Sequence, residues 1–256
     1  MRSPIKYFGS KYYMRKEILN HFPSTYNLYV EGFGGGGSIL FSKEPTPLEV
    51  YNDLYDYVYS LFKCIQDKEL FDKLYHRLSL TYYHKKIRDE SKEFVKNNKF
   101  DDILNKAYYF LLYNRMSFNG NGSFSRILQI RKNMPKSARD LLAMIENLPY
   151  IHERLSKVII ENLHIIDLIK KYDKNNTFFY LDPPYLQETK SSAASYEETM
   201  TDKEHVEMLE LIKNSKGKFL ISGYESNLYN NYLKEFELIK FKPNKKGKIE
   251  CLWRNY

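Results

Sequence analysis

The strongest constraint on the fold is an alternation. Seven short runs rich in aromatic and β-branched residues stand at 26–30, 48–51, 158–161, 177–181, 218–222, 236–241 and 249–253. Helical spacing fills most of the gaps between them. One example covers 202–214, where Val206, Leu209 and Leu211 or Ile212 recur at helical intervals and Thr201 is placed to cap. Strands separated by helices pair in parallel, because the chain must cross over to return. The last two runs have only residues 242–248 between them, which make a turn, so they are expected as an antiparallel hairpin. About a hundred residues separate the second run from the third. That is too long for a loop and is mainly helical, so it reads as an insertion. The expected partition is a catalytic domain of 1–59 and 151–256 carrying an inserted subdomain of 60–150.

The fourth run, Thr177-Phe178-Phe179-Tyr180-Leu181, ends in Asp182-Pro183-Pro184-Tyr185. Open α/β sheets carry their sites at the carboxyl ends of strands. Asp-Pro is also a common turn opener, so the tetrapeptide alone leaves turn and site both open. As a site it offers a carboxylate acceptor, a stiff turn whose prolines have no N–H, and an aromatic ring. That set suits a flat base whose amine is to be alkylated.

The first run leads into Glu31-Gly32-Phe33-Gly34-Gly35-Gly36-Gly37-Ser38, followed by Ile39-Leu40-Phe41. Strand, glycine turn and helix form the expected geometry for bringing backbone close to a nucleotide-like ligand. No Gly-Lys-Ser/Thr follows, so this is no phosphate-binding P-loop. Asp53 stands nineteen residues beyond Gly34, where a carboxylate can accept both hydroxyls of a ribose. These features fit a dinucleotide or S-adenosylmethionine (AdoMet) equally. The tetrapeptide separates them, because hydride transfer has no use for it.

With these blocks in order, the chain resembles the Dam-type (D12 class, alpha arrangement) DNA adenine-N6 methyltransferases over nearly its whole length. The resemblance rests on Ile5-Lys6-Tyr7-Phe8-Gly9-Ser10-Lys11, the Phe33-x-Gly35-x-Gly37 loop, Asn52-Asp53, the insertion, Asp182-Pro183-Pro184-Tyr185 and the final Leu252-Trp253-Arg254-Asn255-Tyr256. It implies a Rossmann-like, seven-stranded AdoMet-dependent methyltransferase sheet with its last strand antiparallel. It implies AdoMet contacts at Tyr7, Lys11, Phe33, Gly34, Gly35, Gly37, Asp53 and Asp182, with Ile165 and Asp167 against the cofactor adenine. The catalytic set would be Asp182, Pro183, Pro184 and Tyr185, acting on an adenine flipped out of duplex DNA. A cytosine-N4 methyltransferase, which more often has Ser in place of Asp182, and a non-catalytic DNA-binding relative are the rivals.

Residues 114–139 hold six basic side chains and no acidic one. Within them Ser117-Phe118-Asn119-Gly120-Asn121-Gly122-Ser123-Phe124 is a strong turn or hairpin signal. A basic, Asn-rich turn suits the major groove, where Arg reads guanine and Asn reads adenine. Arg115, Asn119, Asn121, Ser123, Arg126, Arg131 and Lys132 are therefore the expected DNA contacts. Arg115-Met116-Ser117-Phe118-Asn119-Gly120 is similar to the family's recognition segment. The family's usual continuation is absent, since Phe124-Ser125-Arg126-Ile127-Leu128 stands there, so the resemblance carries no GATC specificity.

Lys and Arg exceed Asp and Glu by 40 − 32 = 8, and the pI is near 9.1, which suits a polyanionic partner. The 24 tyrosines suit base stacking, although A/T-rich coding enriches Tyr and Lys without any such role. Cys64 and Cys251 have no metal spacing, and no metal is expected. There is no membrane-length apolar stretch and no signal region, so a cytoplasmic location is expected. The expected partner is double-stranded DNA, with a restriction endonuclease of the same target site as a further one. The polar stretch 186–200 reads either as a loop over the flipped base or as an ordinary solvent loop.

Overall fold

The computed structural model describes residues 1–7, 9–97, 102–120, 122–125, 129–186, 200–243 and 247–256. Strands β1 (Leu28–Glu31) and β2 (Leu48–Asn52) come first. A small hairpin of β3 (Ile130–Arg131) and β4 (Met134–Pro135) falls in the insertion. Then come β5 (Ile159–Glu161), β6 (Thr177–Leu181), β7 (Lys218–Tyr224), β8 (Glu237–Lys240) and β9 (Glu250–Arg254). The seven expected runs all form strands and join one sheet in the order β5-β2-β1-β6-β7-β9-β8. β1 runs parallel to β2 and β6, and β6 parallel to β7. β9, last in the chain, runs antiparallel to β7 and β8, as expected.

This order reverses between β1 and β6. From β1 the chain builds outward through β2 to β5, then returns to β6 and builds the other way through β7. The carboxyl ends of β1 and β6 therefore flank a topological switch point, where strand ends leave a crevice. Every residue of β6 is buried, which is why its sequence is continuously apolar rather than alternating.

By packing, the chain divides into two units, one of residues 1–15, 35–43 and 56–160, the other of 16–34, 44–55 and 161–256. The expected partition follows chain order, whereas these units follow contacts. The second unit holds the seven-stranded sheet apart from Ile159 and Ile160 of β5. On one sheet face Val30, Val50, Phe179, Phe219 and Ile221 pack with helices described below into a core that includes Trp253. On the alternate positions Phe178 meets Phe22, Tyr26 and Tyr256 at ring-centroid distances of 4.6, 5.1 and 5.9 Å.

Helices are numbered from α1 (Arg15–Leu19). The first unit contains α2 (Asp56–Gln66), α3 (Lys68–Ser79), α4 (Lys85–Asn97), α5 (Ile103–Met116) and α6 (Lys136–Leu155). α5 buries residues on almost every side, among them Leu111, Leu112, Asn114 and Met116, and so forms the centre of this unit. The sheet unit adds α7 (Ile165–Tyr172), α8 (Asp202–Lys213) and α9 (Asn227–Tyr232). Thr201 caps α8 as expected, in a reciprocal capping box with Glu204. No helix among the described residues is long and apolar enough to cross a membrane.

One expectation needs correction. The segment after the glycine loop is a series of turns, with isolated bonds such as Phe41 N–H to Gly37 C=O at 2.9 Å, and not a regular helix. Gly35 and Gly37 take φ of +49° and +66°. Those values belong to the loop itself, and beyond it residues 38–42 close only isolated turns such as Ser42 N–H to Ile39 C=O at 2.9 Å, so the strand–turn–helix reading fails here.

Candidate active site

At the carboxyl edge of the sheet, Asp182 follows β6 directly. Its Oδ1 accepts a hydrogen bond from Ser222 Oγ at 2.8 Å, and Ser222 Oγ lies 3.0 Å from Tyr180 Oη. Ser222 and Tyr180 are both buried. Tyr185 stacks on Tyr224, with ring centroids 4.4 Å apart and planes 18° from parallel. The Tyr185 hydroxyl donates toward Glu250, 3.4 Å from each carboxylate oxygen. Lys248 Nζ stands 4.9 Å from the Tyr224 ring centroid. A small pocket is lined by Pro183, Pro184, Tyr185 and Leu186 from the motif, by Ser222, Gly223 and Tyr224 from β7, and by Tyr229. Burial, with the Asp182 charge second, pushes the Tyr229 phenol up, so it stays protonated while its oxygen meets His205 Nδ1 at 2.9 Å.

The same edge holds the glycine loop and the β2 acid. Gly32 N–H donates to Tyr180 C=O at 3.1 Å, continuing the β1–β6 ladder past Glu31. A Cβ on Gly34 would lie 2.0 Å from a Tyr51 ring atom, so only glycine lets the backbone lie this close to β2. Gly34 N–H donates to Asn52 C=O at 2.8 Å. The Asn52 amide then reaches both ways. It donates to Gly32 C=O at 2.9 Å and Leu163 C=O at 3.1 Å, and accepts from Leu163 N–H at 2.8 Å. Asp53 is buried, and its Oδ1 accepts from Tyr55 N–H at 2.9 Å. That local bond fixes the direction of the carboxylate. Ile165 opens α7, is buried, and packs on the Gly32 position. Asp167 is exposed in the first turn of α7, and Phe33 is partly buried against the core.

The helical unit holds the remaining expected residues. Lys11 is buried in a short 3-10 turn, Lys11–Tyr13, whose cap Ser10 lies 2.5 Å from Ser38 between hydroxyl oxygens. The Tyr7 ring is the nearest neighbour of the Gly35 position. Lys6 and Asn114 form a reciprocal pair, with Lys6 N–H donating to Asn114 Oδ1 and Asn114 Nδ2 donating to Lys6 C=O, both at 2.8 Å. Lys6 Nζ donates to the carbonyls of Arg115 and Ser117, each at 3.0 Å. Burial, then the Arg115 charge, lowers the Lys6 pKa to about 8, with Asp140 opposing.

The expected hairpin signal becomes a turn closed by an antiparallel bridge of Ser117 with Phe124. Phe118 N–H donates to Ser123 C=O at 2.8 Å, and Asn119 and Gly120 take φ of +53° and +93°. Buried Arg88 braces the turn from α4 through Ser117 Oγ at 3.3 Å and the Gly122 carbonyl. The two-residue hairpin lies further on, at Lys132 and Asn133, with φ of +52° and +59°, a pattern of the primed turn that suits strand twist. Asn119, Ser123, Arg131 and Lys132 are exposed. Arg115 instead turns inward, donating to Asp140 C=O at 3.0 Å, with its Nε buried and without a hydrogen-bond partner among the described residues. Asn121, Arg126 and most of the 186–200 stretch lie outside the described residues.

Sequence reasoning missed Ser222, Tyr224, Glu250, Asn52 as an anchor, and Arg88. The first two could have been found by asking which residues end the strand beside β6. Both cysteines are buried and free, and burial pushes the Cys64 thiol up to about 12, so it offers no thiolate nucleophile. Among the described residues no three His, Cys, Asp or Glu side chains gather as a metal cluster.

The pattern of the D12 class N6 adenine-specific DNA methyltransferases matches residues 7–246. The chain belongs to that family. It is thus an enzyme whose class uses AdoMet as methyl donor and DNA as acceptor. It is 24% identical over 205 residues to the Modification methylase StsI of Streptococcus sanguinis, covering 75% of this chain but only 30% of that protein. It is 24% identical over 280 residues to the Type II methyltransferase M1.LlaDCHI of Lactococcus lactis subsp. cremoris, covering 100% of this chain and 96% of that protein.

Proposed function

We propose that this chain is a site-specific DNA methyltransferase that alkylates N6 of an adenine flipped out of the duplex and docked against Asp182-Pro183-Pro184-Tyr185. The observation that carries this reading is the Asp182 carboxylate, held at 2.8 Å by Ser222 at the end of the central strand. It stands beside the glycine loop at the switch point.

The residues fit AdoMet. Gly34 brings backbone against β2 where no side chain fits. The buried Asp53 carboxylate, oriented by Tyr55 N–H, is the right donor-free group for a pair of ribose hydroxyls. The resemblance adds Tyr7, Lys11, Phe33, Gly35, Gly37, Ile165 and Asp167 to the cofactor contacts. When bound, AdoMet supplies an electrophilic sulfonium methyl group.

Adenine N6 is a weak nucleophile because its lone pair is delocalised into the ring. In this reading Asp182 accepts one N6 hydrogen and the Pro183 carbonyl accepts the other. Two acceptors draw the nitrogen toward tetrahedral geometry and free its lone pair. As N6 takes the methyl group, the S–CH3 bond would break with its electrons going to sulfur, leaving S-adenosylhomocysteine; the fixed carboxylate stabilises the positive charge on N6 until one N6 proton is shed to solvent. Neither Pro183 nor Pro184 presents a competing N–H. Tyr185 stacks on the base, offsetting part of the few kcal/mol (~3) that flipping costs.

Target choice falls to the exposed Asn119, Ser123, Arg131 and Lys132, with Asn121 and Arg126 completing the proposed contact set, while Arg115, turned inward to the Asp140 carbonyl, supports that segment from beneath. The names of the two relatives support a role in modification that protects DNA from a partner endonuclease.

The test is direct. The protein is incubated with tritium-methyl-labelled AdoMet and unmethylated plasmid DNA, and the DNA is digested to nucleosides. Label in N6-methyldeoxyadenosine is the expected result. Label in N4-methyldeoxycytidine, or DNA binding without label, would overturn the reading.

A further inference from the structure

We infer that Ser222 and Tyr224, at the carboxyl end of β7, are positioning residues that set the two working ends of the motif before substrate arrives. The inference deepens the proposed function and rests on it.

Residues two apart on a strand project to the same face. Ser222 and Tyr224 are such a pair on β7. Each holds one end of the tetrapeptide: Ser222 meets Asp182, and Tyr224 meets Tyr185. β6 and β7 pair in register up to Leu181 opposite Ile221, so Ser222 comes level with Asp182, while Tyr224, two residues on, meets Tyr185, three residues on.

Hydroxyl arithmetic gives Ser222 a direction. A serine has one hydrogen to donate. The Asp182 oxygen at 2.8 Å is a charge-assisted acceptor, and the Leu181 carbonyl at 3.4 Å is a poorer one. The hydrogen therefore goes to Asp182. With that hydrogen committed, Tyr180, 3.0 Å away, is the donor in its contact with Ser222 Oγ. The result is a one-way relay from Tyr180 through Ser222 to Asp182 Oδ1. It locks the rotation of the carboxylate and turns it toward its task.

Tyr224 acts on the ring. It covers one face of Tyr185, and its cross-strand partner Glu250 receives the Tyr185 hydroxyl. Stack and hydrogen bond together fix the ring plane at two points. A ring whose plane is already set loses less freedom when it meets a base, which is what a supporting layer does for a site.

The test uses the whole protein and the plasmid assay. Ser222→Ala, Tyr224→Ala, Tyr224→Phe, Tyr185→Ala and the double variant Tyr185→Ala/Tyr224→Ala are compared by kcat, KM for DNA, AdoMet affinity from equilibrium binding, and Tm. Ser222→Ala is expected to lower kcat about ten-fold, with AdoMet affinity and Tm little changed. Tyr224→Ala is expected to lower kcat/KM for DNA about ten-fold, and Tyr224→Phe, which keeps the ring, to restore most of it. If Tyr224 acts through Tyr185, the double variant is no worse than Tyr185→Ala alone.

Wild-type kcat in Ser222→Ala, additive losses in the double variant, or losses that follow a fall in Tm or AdoMet affinity would each overturn the inference while adenine methylation by the parent protein stands. A parent protein that labels no adenine would overturn the functional reading, and the inference with it.

Discussion

The motif after β6 and the turn after α5 are both short polar segments that the proposed function needs, yet they are held in different ways. Asp182 to Tyr185 inherits its place from a strand ladder. β6 is buried along its length and fixed between β1 and β7 by register. The nearest strand end then supplies Ser222 and Tyr224. Among the described residues, the turn after α5 has one bridge and a few backbone bonds of its own, such as Phe118 N–H to Ser123 C=O and Ser125 N–H to Met116 C=O. It is held by side chains from distant parts of the helical unit, namely Arg88 on its Gly122 carbonyl, Tyr83 on its Ser125 carbonyl at 2.5 Å, and Lys6 on Ser117. A ladder positions through many small equivalent bonds, so no single holder is essential to the fold. A turn braced by three side chains depends on each of them. The chemistry should therefore be separable from stability, and target reading should not be.

The sharpest test of the first half is Asp182→Ala. The rate of methylation is expected to fall at least ~100-fold, the usual scale for removing a fixed electrostatic partner. Tm should stay close to that of the parent protein. A large drop in Tm would show that the motif braces the sheet, and the contrast would be lost.

Arg88→Ala tests the second half. It strips a buried guanidinium from Ser117 Oγ and from the Gly122 carbonyl, leaving acceptors with no replacement donor. Stability measured by urea unfolding is expected to fall by about 3 kcal/mol. The spread of methylated sites on plasmid DNA, read by single-molecule sequencing, should widen while AdoMet affinity holds. Unchanged site preference in a folded variant would mean that the turn is not the reader.

These same differences decided what could be read from the sequence. The strands were legible because burial on both faces writes a continuous apolar run, as in Thr177–Leu181, and because hydrophobic spacing writes a helix, as in Asp202–Lys213. The strand order β5-β2-β1-β6-β7-β9-β8, and with it the switch point, is set by crossovers that no run of residues spells out. The turns after Gly37 were not legible as turns, since positive φ at Gly35 and Gly37 depends on tertiary context. Lys132-Asn133 lacks the Asn-Gly signature of its turn, and that signature pulled attention to 119–122 instead. Arg115 looked like a base reader by its neighbours in sequence. In the fold its guanidinium turns to the Asp140 carbonyl, and only packing could report that. The braces Lys6, Arg88 and Asn114 act across 108 residues in the case of Lys6 and Asn114, a separation that no local pattern records.

Asn114→Ala is expected to have a smaller effect than Arg88→Ala. The amide satisfies both backbone groups of Lys6 at 2.8 Å, but a partly buried neighbourhood lets solvent replace some of that. A loss of about 1–2 kcal/mol in urea unfolding is the expected outcome. A neutral result would place the brace in Lys6 Nζ alone.

Lys6 itself offers the smallest effect and the most specific one. Its amine donates to the carbonyls of Arg115 and Ser117, and its pKa in the fold is about 8 against an ordinary 10.5. Burial is the main cause and the Arg115 charge the second, while Asp140 pulls the other way. Below pH 8 the amine is charged in both the folded and the unfolded chain, so the fold bears the full burial cost. Between about 8 and 10.5 the unfolded chain keeps a proton that the folded chain has shed. Unfolding then takes up a proton, so this group makes stability rise with pH across that window. The neutral amine keeps hydrogens for both carbonyls, so the brace survives the change. Burial disfavours the Arg115 charge in the same sense, but a guanidinium keeps its proton across this window, so the pH dependence belongs to Lys6. Urea midpoints for the parent protein and Lys6→Met, followed across this range, test that assignment. The difference between the proteins should shrink or reverse in favour of the parent as pH rises, and a difference independent of pH would mean that Lys6 is not buried against Arg115 in solution.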